Sequence, residues 1–244
     1  MSGTVLILGA ASDMGIALAE AYAAKGFGLQ LAARSSDRLA PLAADLKIRF
    51  GVSVALVELD IADFNKHEAV WKSLSVCPDI TISVVGYMKD NEEALTDAAI
   101  ALNTVNSNYT GPMVFLDLVA QTYAKQKKGT IVGISSVAGL RGRQSNFIYG
   151  SAKAGFIAYL SGLRNYLFHH QVHVMTVLPG FVYTKMTAHL TLPPLLTASP
   201  QEVAKAIVKG GEKKKNTIYV KWFWRYIMLI IRYLPEFQFK KMKL

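Results

Sequence analysis

Short apolar, β-branched runs alternate along this chain with longer stretches of helical period. The runs fall at 5–8, 29–33, 53–59, 80–85, 130–134 and 172–178. Segments rich in Ala, Leu and charged residues lie between them, among others at 16–25, 36–49 and 149–168. Such runs predict strands, and the segments between them predict helices. Strand, helix, strand alternation implies right-handed crossovers and a parallel sheet covered on both faces. The expected fold is therefore α/β, a doubly wound (Rossmann) sheet of about seven strands in three α/β/α layers, with 217–220 a candidate for one further strand. No low-complexity linker precedes residue 185 and no repeat has a fixed period. One domain over 1–220, followed by a tail over 221–244, is the economical division.

Composition narrows the class. With 244 residues, 52% of them hydrophobic and 18% charged, the chain can bury a sizeable core and is not a disordered one. A single cysteine, Cys77, excludes a disulfide scaffold and a cysteine zinc cluster. Cys77 reads as a buried small hydrophobe, in a reducing compartment. The N-terminus enters its first apolar run too soon for a secretory signal, so an intracellular start is expected.

The net charge of +10 is uneven: residues 205–244 hold 11 Lys/Arg and two Asp/Glu, which leaves 16 basic and 15 acidic residues in the body. The question of a polyanionic partner therefore concerns the tail alone.

After the first strand comes Gly9-Ala10-Ala11-Ser12-Asp13-Met14-Gly15 and then a helical segment. Small residues let the backbone approach a pyrophosphate, and a helix N-terminus offers it unpaired amides, so Gly9, Ser12, Asp13 and Met14 are candidate cofactor contacts. Asp13 stands where the nucleotide pattern expects a middle glycine, and could instead cap the helix. The second strand ends in Ala32-Ala33-Arg34-Ser35, with no acid for ribose hydroxyls. A guanidinium suits a 2′-phosphate, so NADP(H) is favoured with NAD(H) still open; the bland alternative for Arg34 is a solvated loop cation. Asp60 and Ile61 close the third strand, placed either to meet the adenine edge or, through Asp60, to cap the turn from Ala62.

Tyr149 and Lys153 are four residues apart and share a helix face. A free tyrosine has a pKa of about 10, and a neighbouring cation favours its phenolate, which makes Tyr149 a candidate general acid/base. Ser136, thirteen residues earlier and just past a strand end, can hydrogen-bond a substrate oxygen.

Together with Asn108 in Asn108-Tyr109-Thr110-Gly111 and the run Pro179-Gly180-Phe181-Val182-Tyr183-Thr184, these motifs resemble the short-chain dehydrogenase/reductase family over about residues 4–187. The resemblance implies that Ser136 and Tyr149 bind the reacting oxygen, that Lys153 binds the nicotinamide ribose, and that Asn108 holds a proton-relay water. Val182 and Thr184, with Pro179 before them, would meet the nicotinamide carboxamide. Hydride would then pass between NADP(H) and a carbonyl or alcohol carbon while Tyr149 moves the proton. One motif departs: Ser83-Val84-Val85-Gly86 stands where most members have Asn-Asn-Ala-Gly. Gly86 is kept, and the lost asparagine bonds fall to Ser83 or to packing.

In the tail, 221–234 predicts a helix about 21 Å long, too short for a hydrocarbon core of about 30 Å. Lys221, Arg225 and Arg232 form one narrow stripe, and the other residues of the helix are apolar. Such a helix can lie on an anionic membrane surface or fold back over the dimer interface or the substrate cleft. The stripe is too narrow to track a nucleic acid. The segments 141–147, 184–190 and 224–228 resemble membrane-associated reductases of decaprenylphosphoryl-2-keto-ribose. That resemblance implies a lipid-linked keto-sugar or another lipid-attached carbonyl as substrate, on the inner face of a membrane. His189 would stand at the entrance or be a solvated loop residue. The wider family implies a homodimer or homotetramer. Alternatives are a soluble carbonyl or 3-oxoacyl reductase with a structural tail, and an NADP(H)-binding scaffold without turnover.

Overall fold

A computed structural model describes residues 3–188 and 190–242. Its first half alternates β1 (Thr4–Leu8), α1 (Asp13–Ala23), β2 (Gly28–Ala33), α2 (Ala40–Phe50), β3 (Val54–Glu58), α3 (His67–Ser73) and β4 (Ile80–Ser83). Then follow α4 (Asn91–Thr96), α5 (Ala98–Val105), α6 (Gly111–Gln126), β5 (Thr130–Ile134), α7 (Phe147–Phe168) and β6 (His173–Pro179). A two-stranded parallel ladder, β7 (Phe181–Val182) with β8 (Thr197–Ala198), closes the loop after β6. The chain continues through α8 (Pro200–Glu212), β9 (Thr217–Val220), α9 (Trp224–Tyr233) and α10 (Glu236–Phe239).

The main sheet has seven parallel strands in the order β3-β2-β1-β4-β5-β6-β9, so 217–220 does join it. β1 shows why the apolar runs lack polar alternation. Val5 and Ile7 enter one core layer with α1, α2 and α8, while Leu6 and Leu8 enter the other with α6 and α7. All four are fully buried, each such side chain contributing about 1.5–3 kcal/mol. The strand order reverses between β1 and β4, which opens a crevice at their carboxyl ends, the place where open α/β sheets take ligands.

Several expectations move. The segment 36–49 divides into a 3₁₀ turn, Ser36–Leu39, and α2, with Pro41 in the first turn of the helix. The tail helix starts at Trp224, because Lys221 adopts a left-handed φ of 58° that turns the chain first. Lys221 therefore leaves the basic stripe, and its ammonium reaches the Leu195 carbonyl at 3.4 Å. Cys77 is exposed in the loop before β4, beside Gln126, and is not a core residue. His189 lies outside the described residues. No helix among the described residues is long and apolar enough to cross a membrane.

Candidate functional site

The glycine turn is held from below by β2: the amides of Gly9 and Ala10 both donate to the Ala32 carbonyl at 3.0 Å. Gly9 has a φ of 88°, and a Cβ on Gly15 would lie 2.5 Å from the Gly9 carbonyl oxygen, so the turn needs glycine at both ends. Ser12, and not Asp13, caps α1, its hydroxyl accepting from the Gly15 amide at 3.0 Å. Asp13 faces the other way. Its carboxylate accepts from the Lys185 amide at 2.7 Å and ties the glycine turn to the loop after β7.

Beside the turn lies a cavity of about 270 Å³ that brings together Gly9, Ser12, Arg34, Asp60, Ile61 and Gly86. Arg34 is exposed and has no acidic partner among the described residues. The nearby Glu58 carboxylate is engaged by the Ser36 amide at 2.8 Å, which holds its pKa below the usual carboxylate range. Asp60 caps the turn, one oxygen accepting from the Ala62 amide at 3.0 Å, and the residue also lines this cavity.

The cavity continues past Gly86 into a second, of about 300 Å³, walled by Met14, Tyr149, Lys153 and Thr184. Lys153 is buried, and its ammonium donates to the carbonyls of Val85 at 3.4 Å and Ile134 at 3.3 Å. Burial pushes its pKa down to about 7. Tyr149 is partly buried, and desolvation pushes its pKa up to about 12, against the opposing effects of a hydrogen bond with Ser136 and the positive charge of Arg143. The helix does place Tyr149 and Lys153 together, with Nζ 5.7 Å from the ring centroid. The expected lowering of the tyrosine pKa by lysine is not what these surroundings produce. The opposing cation is Arg143, and desolvation outweighs it.

Asn108 is fully buried in a π turn, Asn106–Thr110, between α5 and α6. Its amide donates to the carbonyls of Tyr87 at 2.6 Å and Thr104 at 2.8 Å, and accepts from the Tyr87 amide at 3.3 Å. Asn108 and Lys153 thus clamp the segment after β4 at Tyr87 and Val85. Ser83 does not replace the missing asparagine, since its buried hydroxyl has no partner among the described residues. Its neighbour Val84 is buried in the core, 3% exposed.

A third cavity, of about 130 Å³, has Ser136 and Tyr149 on one wall and Pro179, Val182 and Trp224 among its other walls. Trp224 belongs to the tail helix. Its indole NH donates to the Leu196 carbonyl at 3.1 Å, and its ring lies against Gly180 so closely that a Cβ there would collide with it. With Met228 it packs on Val137 and Leu178. Arg141 clasps the far end of the helix, donating to the carbonyls of Ile231 at 2.6 Å and Leu234 at 2.7 Å, pairing with Glu236 at 2.9 Å and covering the Phe239 ring at 3.7 Å. The inner face of the tail is therefore folded back on the body. Its outer face leaves Trp222, Tyr226, Ile230 and Tyr233 exposed.

A family model described as short chain dehydrogenase matches residues 3–193. The chain belongs to that family. Among curated members, an uncharacterized oxidoreductase of Mycobacterium tuberculosis is 34% identical over 241 residues, covering 98% of this chain and 96% of that one. A short-chain dehydrogenase from Sphingobium yanoikuyae, solved in complex with NADPH, is 26% identical with a TM-score of 0.82 over 93% of this chain and 92% of that chain. A bulky-bulky ketone specific alcohol dehydrogenase from Comamonas testosteroni is also 26% identical, with a TM-score of 0.80 over 96% and 99%. As a short-chain dehydrogenase, the chain is an oxidoreductase of carbonyl and alcohol groups.

Arg143, Asn146 and Trp224 also line this third cavity, although the sequence offers them only within the segments of resemblance 141–147 and 224–228 and not as site residues. The available signal was an arginine and an asparagine within six residues of Tyr149, on the approach to its helix.

Proposed function

We propose that this short-chain dehydrogenase is an NADP(H)-dependent oxidoreductase acting at a membrane surface on the carbonyl or alcohol of an amphipathic substrate, such as a polyprenyl-linked keto-sugar. One observation carries the chemistry: Ser136 and Tyr149 share the wall of a small cavity that adjoins the glycine-turn crevice at Tyr149 and Thr184. The glycine cradle, Arg34 without an acidic partner among the described residues, and the long hydrogen bonds of Lys153 fit a 2′-phosphorylated dinucleotide.

When bound, the cofactor supplies the hydride. Gly9, Ser12, Asp13 and Met14 would seat its pyrophosphate side, Arg34 its 2′-phosphate, and Asp60, Ile61 and Gly86 the adenosine side. Lys153 would hold the ribose, and Pro179, Val182 and Thr184 the carboxamide. Asn108 would fix the floor of the site through Tyr87. Ser136 would orient the substrate oxygen and Tyr149 donate its proton. A raised phenol pKa keeps that proton in place until negative charge develops on the oxygen.

The Sphingobium relative's NADPH complex supports the cofactor, and the Comamonas relative's bulky ketones support a large substrate. The apolar outer face of α9, with Arg225 and Arg232, supports a seat on an anionic membrane for a tail over 221–244 attached to a body over 1–220. A homodimer or homotetramer is part of this reading. The Arg141 clasp favours a second reading, in which the tail is only structural and the substrate is a soluble carbonyl or 3-oxoacyl compound.

The test is NADPH oxidation by purified protein with lipid extracts and a carbonyl panel, alongside Tyr149→Phe. The variant should bind NADPH and lose turnover; undiminished turnover would sink the assignment. Membrane attachment is tested by co-sedimentation with anionic vesicles for wild type and Ile230→Glu. Equal soluble fractions without salt dependence favour the second reading. A surface substitution is preferable to truncation, because truncation would remove Trp224 from the cavity wall.

A further inference from the structure

Two arginines stand two residues apart on the approach to α7, and they are used in opposite ways. Arg141 is saturated: backbone carbonyls of the tail, the Glu236 carboxylate and the Phe239 ring surround it. That is an arginine whose work is structural. Arg143 instead lines the cavity of Ser136 and Tyr149, and no acid pairs with it among the described residues. Its Nε is buried without a hydrogen-bond partner there. Beside it, the buried Oδ1 of Asn146 is also without a partner among the described residues.

An arginine stays protonated inside a protein, so burial without a counter-charge is costly. Burial does lower the Arg143 pKa, and the one group found to oppose that is Tyr149. Much of the remaining wall is apolar, including Met14, Val182, Leu190 and Trp224, so a charge in this space is weakly screened. A planar fork of donors suits a phosphate or a carboxylate, and an amide oxygen suits a hydroxyl.

We infer that Arg143 and Asn146 form a substrate subsite for an anionic, hydroxyl-bearing carbonyl compound: the guanidinium takes an oxyanion close to the reacting carbonyl, and Asn146 accepts from a hydroxyl. The inference rests on the oxidoreductase reading of this cavity and adds a charge requirement to it. The oxyanion can come from a soluble phosphate ester or from a lipid phosphodiester, since both present negatively charged phosphoryl oxygens to a guanidinium.

The experiment uses the full chain saturated with NADPH, so that the Arg34 seat is filled. Dihydroxyacetone, its phosphate and its hexadecyl phosphodiester in neutral detergent micelles are compared as substrates. Both phosphates should exceed dihydroxyacetone in kcat/KM by tenfold or more, the gain lying in KM. Arg143→Gln should bring the ratio toward one, and Arg143→Lys should restore part of it. A lower KM for the hexadecyl ester than for the simple phosphate identifies a lipid source, and equal values a soluble one. An unchanged ratio in Arg143→Gln overturns the subsite. So does an equal fall in kcat for neutral and charged ketones with a displaced pH profile, which would make Arg143 a tuning cation for Tyr149.

A second readout needs no turnover: phenyl phosphate should raise the Tm of the NADPH-bound wild type and not of Arg143→Gln. If no ketone is reduced but this difference is seen, the oxidoreductase reading fails and the anion site stands. If ketones are reduced and the difference is missing, the reverse holds. Should Arg143→Gln not fold, Arg143→Lys takes its place, and an undiminished preference for dihydroxyacetone phosphate in it overturns the inference.

Discussion

Lys153 holds its ammonium nitrogen 5.7 Å from the centre of the Tyr149 ring, yet spends its hydrogen bonds on the carbonyls of Val85 and Ile134. The lysine is thus a buried base on main-chain acceptors, and its effect on folding can be measured. Its pKa falls from 10.5 to about 7 on folding, so the unfolded chain binds the proton first as pH drops. The stability this residue contributes is present above about pH 10.5 and lost as pH falls toward 7. Lys153→Met should therefore melt higher than wild type near pH 7, with the gap closing toward pH 10. The scan should stop at pH 10, because Tyr149, with its raised pKa, destabilises the fold as pH rises beyond its unfolded value. A constant gap across pH 7–10 would show that Lys153 is charged in the fold.

Arg34 has no acidic partner among the described residues, and Glu58 is held by the Ser36 amide. Charged hydrogen bonds contribute about 1.5–3 kcal/mol, roughly ten- to a hundredfold. Arg34→Ala should lower the NADPH-to-NADH ratio of kcat/KM by about that factor, mainly through the KM for NADPH. Steady-state kinetics with both cofactors checks it.

Arg141 reaches across to the tail with hydrogen bonds as short as 2.6 Å and an ion pair to Glu236. Arg141→Ala leaves the C-terminal carbonyls of α9 without this partner, at a cost of about 1–3 kcal/mol. Limited proteolysis should release the segment after Trp224 faster than in wild type, while the body stays intact.

The indole of Trp224 fills the space a side chain at Gly180 would need. Gly180→Ala should destabilise the protein by about 1–3 kcal/mol through overpacking. Combined with Trp224→Ala, it should cost less than the sum of the two single changes, because the collision is gone. Urea denaturation of the four-member cycle gives the coupling.

The contrast between what could be read along the chain and what could not follows from range. The strands of β1 to β6 were legible because residues such as Val5 and Leu6 are buried on opposite faces, which leaves an unbroken apolar run. The meeting of Tyr149 and Lys153 was legible because it is local to one helix. The choice of Ser12 over Asp13 as the cap was not, since it depends on Asp13 finding the Lys185 amide 172 residues away. The different roles of Arg141 and Arg143 are illegible for the same reason: their sequence neighbourhoods match, and only the fold separates the clasp from the cavity. Composition suggests a buried Cys77, but a small apolar residue can sit in an exposed loop without penalty, as it does here.

The stretch matched by the family model ends at 193, while Trp224, on a helix beyond it, closes the cavity around Ser136. On the proposed reading, reactivity and fit are thus carried by different lengths of chain. Two such enzymes could exchange their last segments, provided residue 180 came along to suit the incoming ring. The chimera should keep the redox behaviour of one parent and take on the substrate reach of the other.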